Sequence, residues 1–326
     1  MTGNTLGWVI VAFVLYLLMM IAIGAFYAKG NNNSEDYFLG GRKLNGFVAA
    51  LSAQASDMSG WLLMGLPGSI LAFGLGQAWI GIATKLRRYT IRANNSVTLP
   101  TYFENRFHDE KKVLMTVSSI TIVVFFLVYC ASALSAGGQL FESVFGIDYH
   151  VALTIGALVV LVYTFLGGFT AVCVTDFIQG MLMLVGILAV PLFAYHFLTT
   201  GGTTLSAGLE ASGADSANFL NLMKNGDGSN NIVSVISGLG WGLGYFGMPH
   251  ILVRFMAVRD EKEMTKSKAT AISWVALSLG FAVFIGILGR AYLPELVNGN
   301  NEKVFIEMIK KVFTMEMRAP FIAGLF

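Results

Sequence analysis

Long runs without a charged side chain constrain this chain more than any other feature. Residues 5–28 and 113–140 contain no Asp, Glu, Lys or Arg. Each run is long enough to cross about 30 Å of hydrocarbon as a helix, which takes about 20 residues. Charged residues make up 12% and hydrophobic residues 55% of the 326, which is about half the charged share of a soluble protein. The sequence therefore predicts an all-α protein that crosses the membrane several times.

Five further apolar runs predict additional spans: 46–72, 151–166, 177–198, 232–253 and 269–289. Most of the 21 Lys and Arg fall in residues 29–45, 85–112 and 254–268. Basic residues collect on the cytoplasmic side, so the pattern predicts a multi-pass protein of the plasma (inner) membrane with its N-terminus outside. Segment 254–268 is then a solvated inner connector.

The third span is the exception to this pattern. The charge rule requires a crossing between Leu75 and Lys85, where ten residues give only about 15 Å of helix. We therefore expect residues to be missing near 83–86. The chain also stops at Phe326, just inside its next predicted span.

A lone carboxylate marks the stretch SAQASDMSGWLLMGLPG, residues 52–68. Asp57 is the only charged residue between Gly46 and Thr84. A charge at the centre of a membrane helix costs about 2.5–3.5 kcal/mol on insertion scales. A bound cation, a buried partner or a water-filled cavity would each offset that cost. No basic residue lies within the predicted spans, which favours a cation.

Two segments are predicted to be interrupted helices. One runs from Ser56 to Gly60 and on to Pro67, and the other is SGLGWGLGYFGMPHI, with five glycines before Pro249. Glycine weakens a helix by about 1 kcal/mol relative to alanine, although tight packing by small residues is an alternative explanation. Paired interrupted helices in corresponding positions point to the site of a secondary transporter.

Four strings carry a resemblance along nearly the whole chain: EDYFLGGRKL (35–44), SAQASDMSGWLLMGLPG, YTFLGGFTA (163–171) and GLGWGLGYFGMPHILVRFMA (238–257). They resemble the sodium:solute symporter family, and within it the branch that transports proline. The resemblance implies a LeuT-type inverted-repeat transporter with an extra N-terminal helix, truncated in its second repeat. Its parts would be the extra helix (1–28), a first five-helix repeat (46–198), an external loop (199–231) and an incomplete second repeat (232–326).

The same resemblance implies which residues bind. Sodium would be held by the carbonyls of Ala55 and Met58, with Asp57 tuning the site. The substrate's polar end would meet Ser59, Gly60 and the Tyr129 hydroxyl. On spacing alone, Trp241, Tyr245 and Pro249 share one helix face, and such a stripe serves either packing or a small apolar ring.

Asp176 and Arg42 are candidates for ion access or gating. Asp176 is predicted to open its helix, where the dipole favours a carboxylate anyway, and Arg42 is equally explained as a cytoplasmic anchor. The four histidines are predicted to be interfacial.

The predicted function is sodium-coupled symport of a small amino acid, most consistent with L-proline. A sibling symporter for a vitamin, sugar or other amino acid, or a non-functional fragment, are the alternatives. We expect no enzyme activity, no cofactor beyond Na⁺ as coupling ion, no nucleic-acid partner, and a lipid bilayer around the chain. A channel would need a repeated filter loop, and an enzyme would need clustered His, Cys or carboxylates.

Overall fold

The computed structural model describes residues 3–73, 98–225, 227–233, 235–236, 248–298, 301–319 and 322. Within these ranges the regular structure is helical and no β-strand is present, apart from isolated bridges that pair Leu44 with Val258 and Lys224 with Asn230. The α-helices are, in chain order, α1 (Gly3–Ala28), α2 (Ser34–Leu39), α3 (Gly46–Gly60), α4 (Leu66–Phe73), α5 (Leu99–Phe107), α6 (Val113–Phe145), α7 (Tyr149–Thr200), α8 (Leu205–Ala211), α9 (Ser216–Phe219), α10 (Pro249–Met256), α11 (Glu261–Tyr292) and α12 (Val304–Ile309). The predicted third span lies outside the described residues.

Four of these helices are long and apolar enough to cross a membrane: Leu6–Ala28 within α1, all of α6 and α7, and Lys262–Tyr292 within α11. Helix α6 carries large hydrophobic side chains that are more than half exposed, including Phe125 and Leu127. Such a surface is stable only against lipid or another apolar partner. The chain is a multi-pass membrane protein.

Helix α7 is two spans joined at a bend. Its 52 residues would extend over about 78 Å as a straight helix, more than twice the hydrocarbon thickness. The bend falls at Gly168, whose φ of 61° and ψ of −159° lie outside the helical region. Helical geometry resumes directly after it, so the first and second parts of α7 need no loop between them.

Helices α3 and α4 coincide with the predicted span 46–72, and an irregular turn lies between them. Residues Trp61–Gly65 are π-helical, a geometry that is rare and often found at functional positions. The sequence predicted an interruption around Ser56–Gly60, and the structure places the irregular turn immediately after that stretch.

Helix α11 packs closely along this span. A Cβ at Gly286 would lie 2.7 Å from the Ile70 Cβ and 2.7 Å from the Pro67 carbonyl oxygen. At the other end, the Gly46 N–H donates to the Glu263 carboxylate at 2.9 Å. Small residues let helix backbones approach in this way. The largest buried apolar cluster joins α3, α4, the second part of α7, α11 and α12, and it includes Leu51, Ile70, Ile187, Ile285 and Phe313.

The segment predicted as an external loop contains two short helices. Helix α8 packs on the end of α11, where a Cβ at Gly208 would lie 2.9 Å from the Ala291 Cβ. Leu209 and Phe219 are buried there, and Arg290 donates to the Ser212 hydroxyl at 3.1 Å. The segment is therefore docked on the helical bundle. The division of the chain into an extra helix and two repeats stays a prediction.

Candidate functional site

A buried ion pair joins α7 to α10. The Arg254 Nη2 lies 2.6 Å from the Asp176 Oδ2, and the two residues are 6% and 7% exposed. Asp176 lies two turns beyond the Gly168 bend, inside α7, and Arg254 lies in the last turn of α10. Removing one member of a buried pair leaves an uncompensated charge, which costs about 3–5 kcal/mol. The pair therefore fixes where α10 sits against α7.

Two serines of α3 complete this pair. The hydroxyls of Ser52 and Ser56 donate to the Asp176 Oδ2 at 2.8 and 3.1 Å. The Arg254 Nε donates to the Ser52 Oγ at 2.6 Å, and its Nη2 also donates to the Ser56 Oγ. Ser52 and Ser56 are four residues apart, so they share one face of α3. We call these four residues the polar node, and it ties together α3, α7 and α10.

Tyr129 places α6 against the same part of α3. Its hydroxyl donates to the Ser56 carbonyl oxygen at 2.8 Å. Ser56 lies between Ala55 and Asp57, the positions that the sequence assigned to a cation. The predicted substrate residue Tyr129 and the predicted sodium residues are therefore brought to one level of α3, next to the polar node.

Arg42 lies in a contact between two connecting segments. Its Nε lies 3.2 Å from the Glu35 carboxylate, and its Nη1 donates to the Met256 carbonyl at 2.8 Å. Next to it, Leu44 N–H donates to the Ala257 carbonyl at 3.2 Å, and Arg259 N–H donates to the Leu44 carbonyl at 3.0 Å. The segment that leads into α3 is thus held against the end of α10, and Arg42 takes part in that contact rather than projecting freely from the surface.

Comparison with known proteins decides the family. The sequence profile of the sodium:solute symporter family matches residues 37–326. The chain belongs to the sodium:solute symporter family. This confirms the resemblance drawn from the four sequence strings.

Relatives within the family include sodium/proline symporters of three bacteria. The chain is 42% identical to the one from Salmonella typhimurium and 41% identical to the one from Escherichia coli, each over 97% of this chain and 64% of the relative. It is 41% identical to the one from Staphylococcus aureus over 93% of this chain and 60% of the relative. The chain thus spans somewhat less than two thirds of the length of these relatives.

A solved structure confirms the fold class. A substrate-bound, outward-open Na⁺-coupled sialic acid symporter superposes with a TM-score of 0.74 at 19% identity, over 98% of this chain and 70% of that one. The predicted all-α, LeuT-type architecture of the family is therefore the fold of this chain.

Several predicted symporter residues have no described side chain. Asp57, Met58, Ser59 and Gly60 belong to α3, but only their backbone is described. Ala55 is half-buried and faces α7, because a Cβ at Gly180 would lie 3.3 Å from the Ala55 Cβ. The roles of these residues in sodium and substrate binding stay predictions.

The aromatic stripe is described only at its end. Trp241 and Tyr245 lie outside the described residues, and Pro249 is the first residue of α10, a position that suits proline. The preceding Met248 has an extended backbone, with φ of −82° and ψ of 101°. Trp241, Tyr245 and Pro249 share one face only if a helix continues through Met248, so the helical spacing predicted for the three residues does not hold there.

Sequence reasoning missed Arg254 and His250. Arg254 was assigned to a solvated connector, and the structure corrects this, because it is buried on Asp176. His250, predicted to be interfacial, instead stacks on Tyr129 with ring centroids 5.2 Å apart. Asp176, predicted to open its helix, lies within it. The sequence did carry one signal for the ion pair, because Asp176 and Arg254 are each flanked by several apolar residues.

Proposed function

We propose that the protein carrying this chain couples the inward movement of Na⁺ to the uptake of L-proline or a closely similar small amino acid. Family membership supports sodium-coupled transport, and the three relatives described above are named for sodium and proline. The observation that carries the proposal on this chain is the convergence of α3, α6, α7 and α10 at the Ser56 carbonyl and the polar node.

The cation would bind where α3 approaches its irregular turn. Sodium is a hard ion that prefers oxygen ligands, and the carbonyls of Ala55 and Met58 with the Asp57 carboxylate supply that chemistry. Asp176 is a poorer candidate for a direct ligand here, because its Oδ2 already accepts from Arg254 and two serines. We assign Asp176 and Arg42 to gating, since both bind the end of α10.

The amino acid would bind beside the cation. Ser59 and Gly60, next to the π-helical turn, would face its polar end with Tyr129, and Trp241, Tyr245 and Pro249 would enclose its ring. When one Na⁺ moves inward across 100 mV together with a neutral substrate, about 2.3 kcal/mol is released. This free energy supports roughly 50-fold accumulation of the substrate. No covalent step is needed.

A sibling symporter for another solute is the second candidate. The sialic acid symporter has the same fold, so the fold alone is compatible with different solutes in this family. The selectivity of such a transporter among solutes depends on the residues around the site, and competition between solutes measures that selectivity directly.

The chain is proposed to lie in the plasma (inner) membrane with its N-terminus outside. Segments 29–45 and 256–262 lie against each other through the Leu44–Val258 bridge, and both carry basic residues: Lys29, Arg42, Lys43, Arg259 and Lys262. Basic connecting segments favour the cytoplasmic face, which supports this orientation.

The test is uptake of labelled L-proline by proteoliposomes with an imposed inward Na⁺ gradient, in competition with a panel of amino acids, sugars, vitamins and sialic acid. We expect uptake that requires Na⁺ and is inhibited most strongly by unlabelled proline. Uptake that does not require Na⁺ would contradict the coupling, and stronger inhibition by another solute would select the sibling symporter.

A further inference from the structure

Two aromatic side chains of α6 pack against His250. Its ring stacks on Tyr129 at a centroid distance of 5.2 Å and an angle of 30°, and it meets the edge of Phe126 at 5.3 Å and 67°. The residue is the second of α10, directly after Pro249. One face of the ring is therefore packed against Tyr129, and the polar atoms of the ring are its two nitrogens.

Those nitrogens are buried without a partner. Neither Nδ1 nor Nε2 is accessible to solvent, and neither has a hydrogen-bond partner among the residues that the structure describes. A neutral imidazole carries one N–H donor and one acceptor, and a buried polar group without a partner is destabilising. The nearby polar node is different, because Ser52 and Ser56 each hydrogen-bond to Asp176 and Arg254, which are paired with each other. The ring nitrogens of His250, unlike the groups of the polar node, therefore have no described partner that would compete with a ligand for their hydrogen bonds.

The position of His250 identifies where this ligand would lie. Tyr129, on which the ring stacks, donates to the Ser56 carbonyl at 2.8 Å, one residue before Asp57. On the other side, Arg254 donates from its Nη1 to the His250 carbonyl. His250 therefore contacts Tyr129 and directly follows Pro249, two residues assigned above to the substrate.

We propose that a ring N–H of His250 donates a hydrogen bond to the carboxylate of the transported amino acid. This inference rests on the proposed function. An N–H is the group that a carboxylate needs, and hydrogen bonds to an ionised acceptor are the stronger kind.

The test separates stacking from hydrogen bonding. His250→Phe keeps an aromatic ring against Tyr129 but removes both nitrogens, whereas His250→Gln and His250→Asn keep an N–H donor near Nε2 and Nδ1, respectively. His196→Phe is the matched control, because His196 is an exposed histidine of α7. Each variant is reconstituted, and the KM for L-proline is measured with inhibition constants for prolinamide, which lacks the carboxylate, and cyclopentanecarboxylate, which lacks the amine.

We expect His250→Phe to raise the KM for L-proline about tenfold, the effect of one hydrogen bond to a charged group. The preference for proline over prolinamide should fall by the same factor, and the preference for proline over cyclopentanecarboxylate should not change. At least one of the Gln and Asn variants should keep a KM near that of the wild type, and His196→Phe should be unchanged.

Three results would overturn the inference. They are a wild-type KM in His250→Phe, a loss of preference against cyclopentanecarboxylate instead of prolinamide, and equal loss of thermal stability and Na⁺-dependent uptake in all three His250 variants, which would make the residue structural. Wild-type uptake is measured first. Its absence would refute the proposed function and this inference together, whereas uptake by the wild type and by His250→Phe alike would refute this inference alone.

Discussion

The Asp176 Oδ2 accepts a hydrogen bond from the Arg254 Nη2 at 2.6 Å, across 78 residues of sequence. Asp176 lies in α7, within the predicted first repeat, and Arg254 lies in α10, within the predicted second. Secondary transporters work by moving one repeat or bundle against another. If Asp176 and Arg254 belong to parts that move against each other, the movement must break their ion pair. If the pair stays intact, the two residues must move together.

Asp176→Asn should strongly destabilise the folded protein, because it leaves the buried Arg254 charge without its counter-ion. The expected loss in free energy of unfolding is about 3–5 kcal/mol, measured by denaturant titration in detergent. Glu104→Gln is the control, because Glu104 pairs at 3.7 Å with the exposed Lys112, and a surface pair contributes only about 0–1 kcal/mol.

The double variant Asp176→Asn with Arg254→Gln separates a charge effect from a packing effect. Both charges are removed, so the double variant should lose less stability than the two single variants lose together. Simple additivity would show that the residues act independently and would contradict the importance of the pair.

Gly168→Ala should destabilise the bend of α7. The φ of 61° with ψ of −159° belongs to a region that only glycine adopts readily, at a cost of about 1–3 kcal/mol for other residues. A Cβ there would also lie 3.0 Å from the Tyr37 ring and carbonyl. In the control Gly280→Ala, nothing lies within 4 Å of the new Cβ, so stability should rise by up to about 1 kcal/mol. Equal effects of the two substitutions in thermal unfolding would contradict this account.

The long spans could be predicted from sequence because lipid imposes a length and a composition on each helix. The apolar runs 5–28 and 113–140 became α1 and α6 with small changes at their ends. The α7 bend was less predictable. The sequence placed two spans at 151–166 and 177–198, but the left-handed Gly168 lets the helix resume at once. Asp176 consequently lies inside a helix rather than at its start.

The polar node could not be predicted from sequence. No periodicity connects Ser52 with Asp176 or Arg254, because the three residues meet only through the packing of three helices. The charge rule also led to the wrong environment for Arg254. The rule counts every Arg at the end of a span as cytoplasmic, and it cannot identify one whose side chain is buried in the protein interior. Lone charges in apolar surroundings locate such residues, but their partners come from the fold.

Asp57→Asn should raise the Na⁺ concentration needed for half-maximal proline uptake at least about tenfold, the effect of losing about 1.4 kcal/mol of ion binding. Asp57 is the only carboxylate within its span, so no neighbour in that span replaces it. Asp227→Asn in the segment predicted to be external (199–231) is the control, since Asp227 is exposed and accepts hydrogen bonds from the nearby Ser229. An unchanged Na⁺ dependence in Asp57→Asn would exclude the coupling role.

Trp241→Ala and Tyr245→Ala should each weaken proline binding much more than Na⁺ binding. Aromatic faces that enclose the substrate ring contribute to its affinity, whereas the proposed cation ligands lie on α3. Proline and Na⁺ dependence of uptake are measured separately for each variant. If both affinities fall together, or if folded protein is lost in detergent, the aromatic residues serve packing, and the substrate role is wrong.

Labelling of introduced cysteines should establish the orientation of the chain. Ser34 begins α2 on the basic side, and Ser206 lies in α8 on the opposite side; both are exposed. Cys130, which is exposed, is first replaced by Ala, and the buried Cys173 is retained. In sealed right-side-out vesicles, a membrane-impermeant maleimide should label Ser206→Cys but reach Ser34→Cys only after permeabilisation. This follows because basic connecting segments remain in the cytoplasm. The reverse pattern would place the N-terminus inside. The basic residues of segments 29–45 and 256–262 would then be explained by the contact between those two segments and not by a cytoplasmic location.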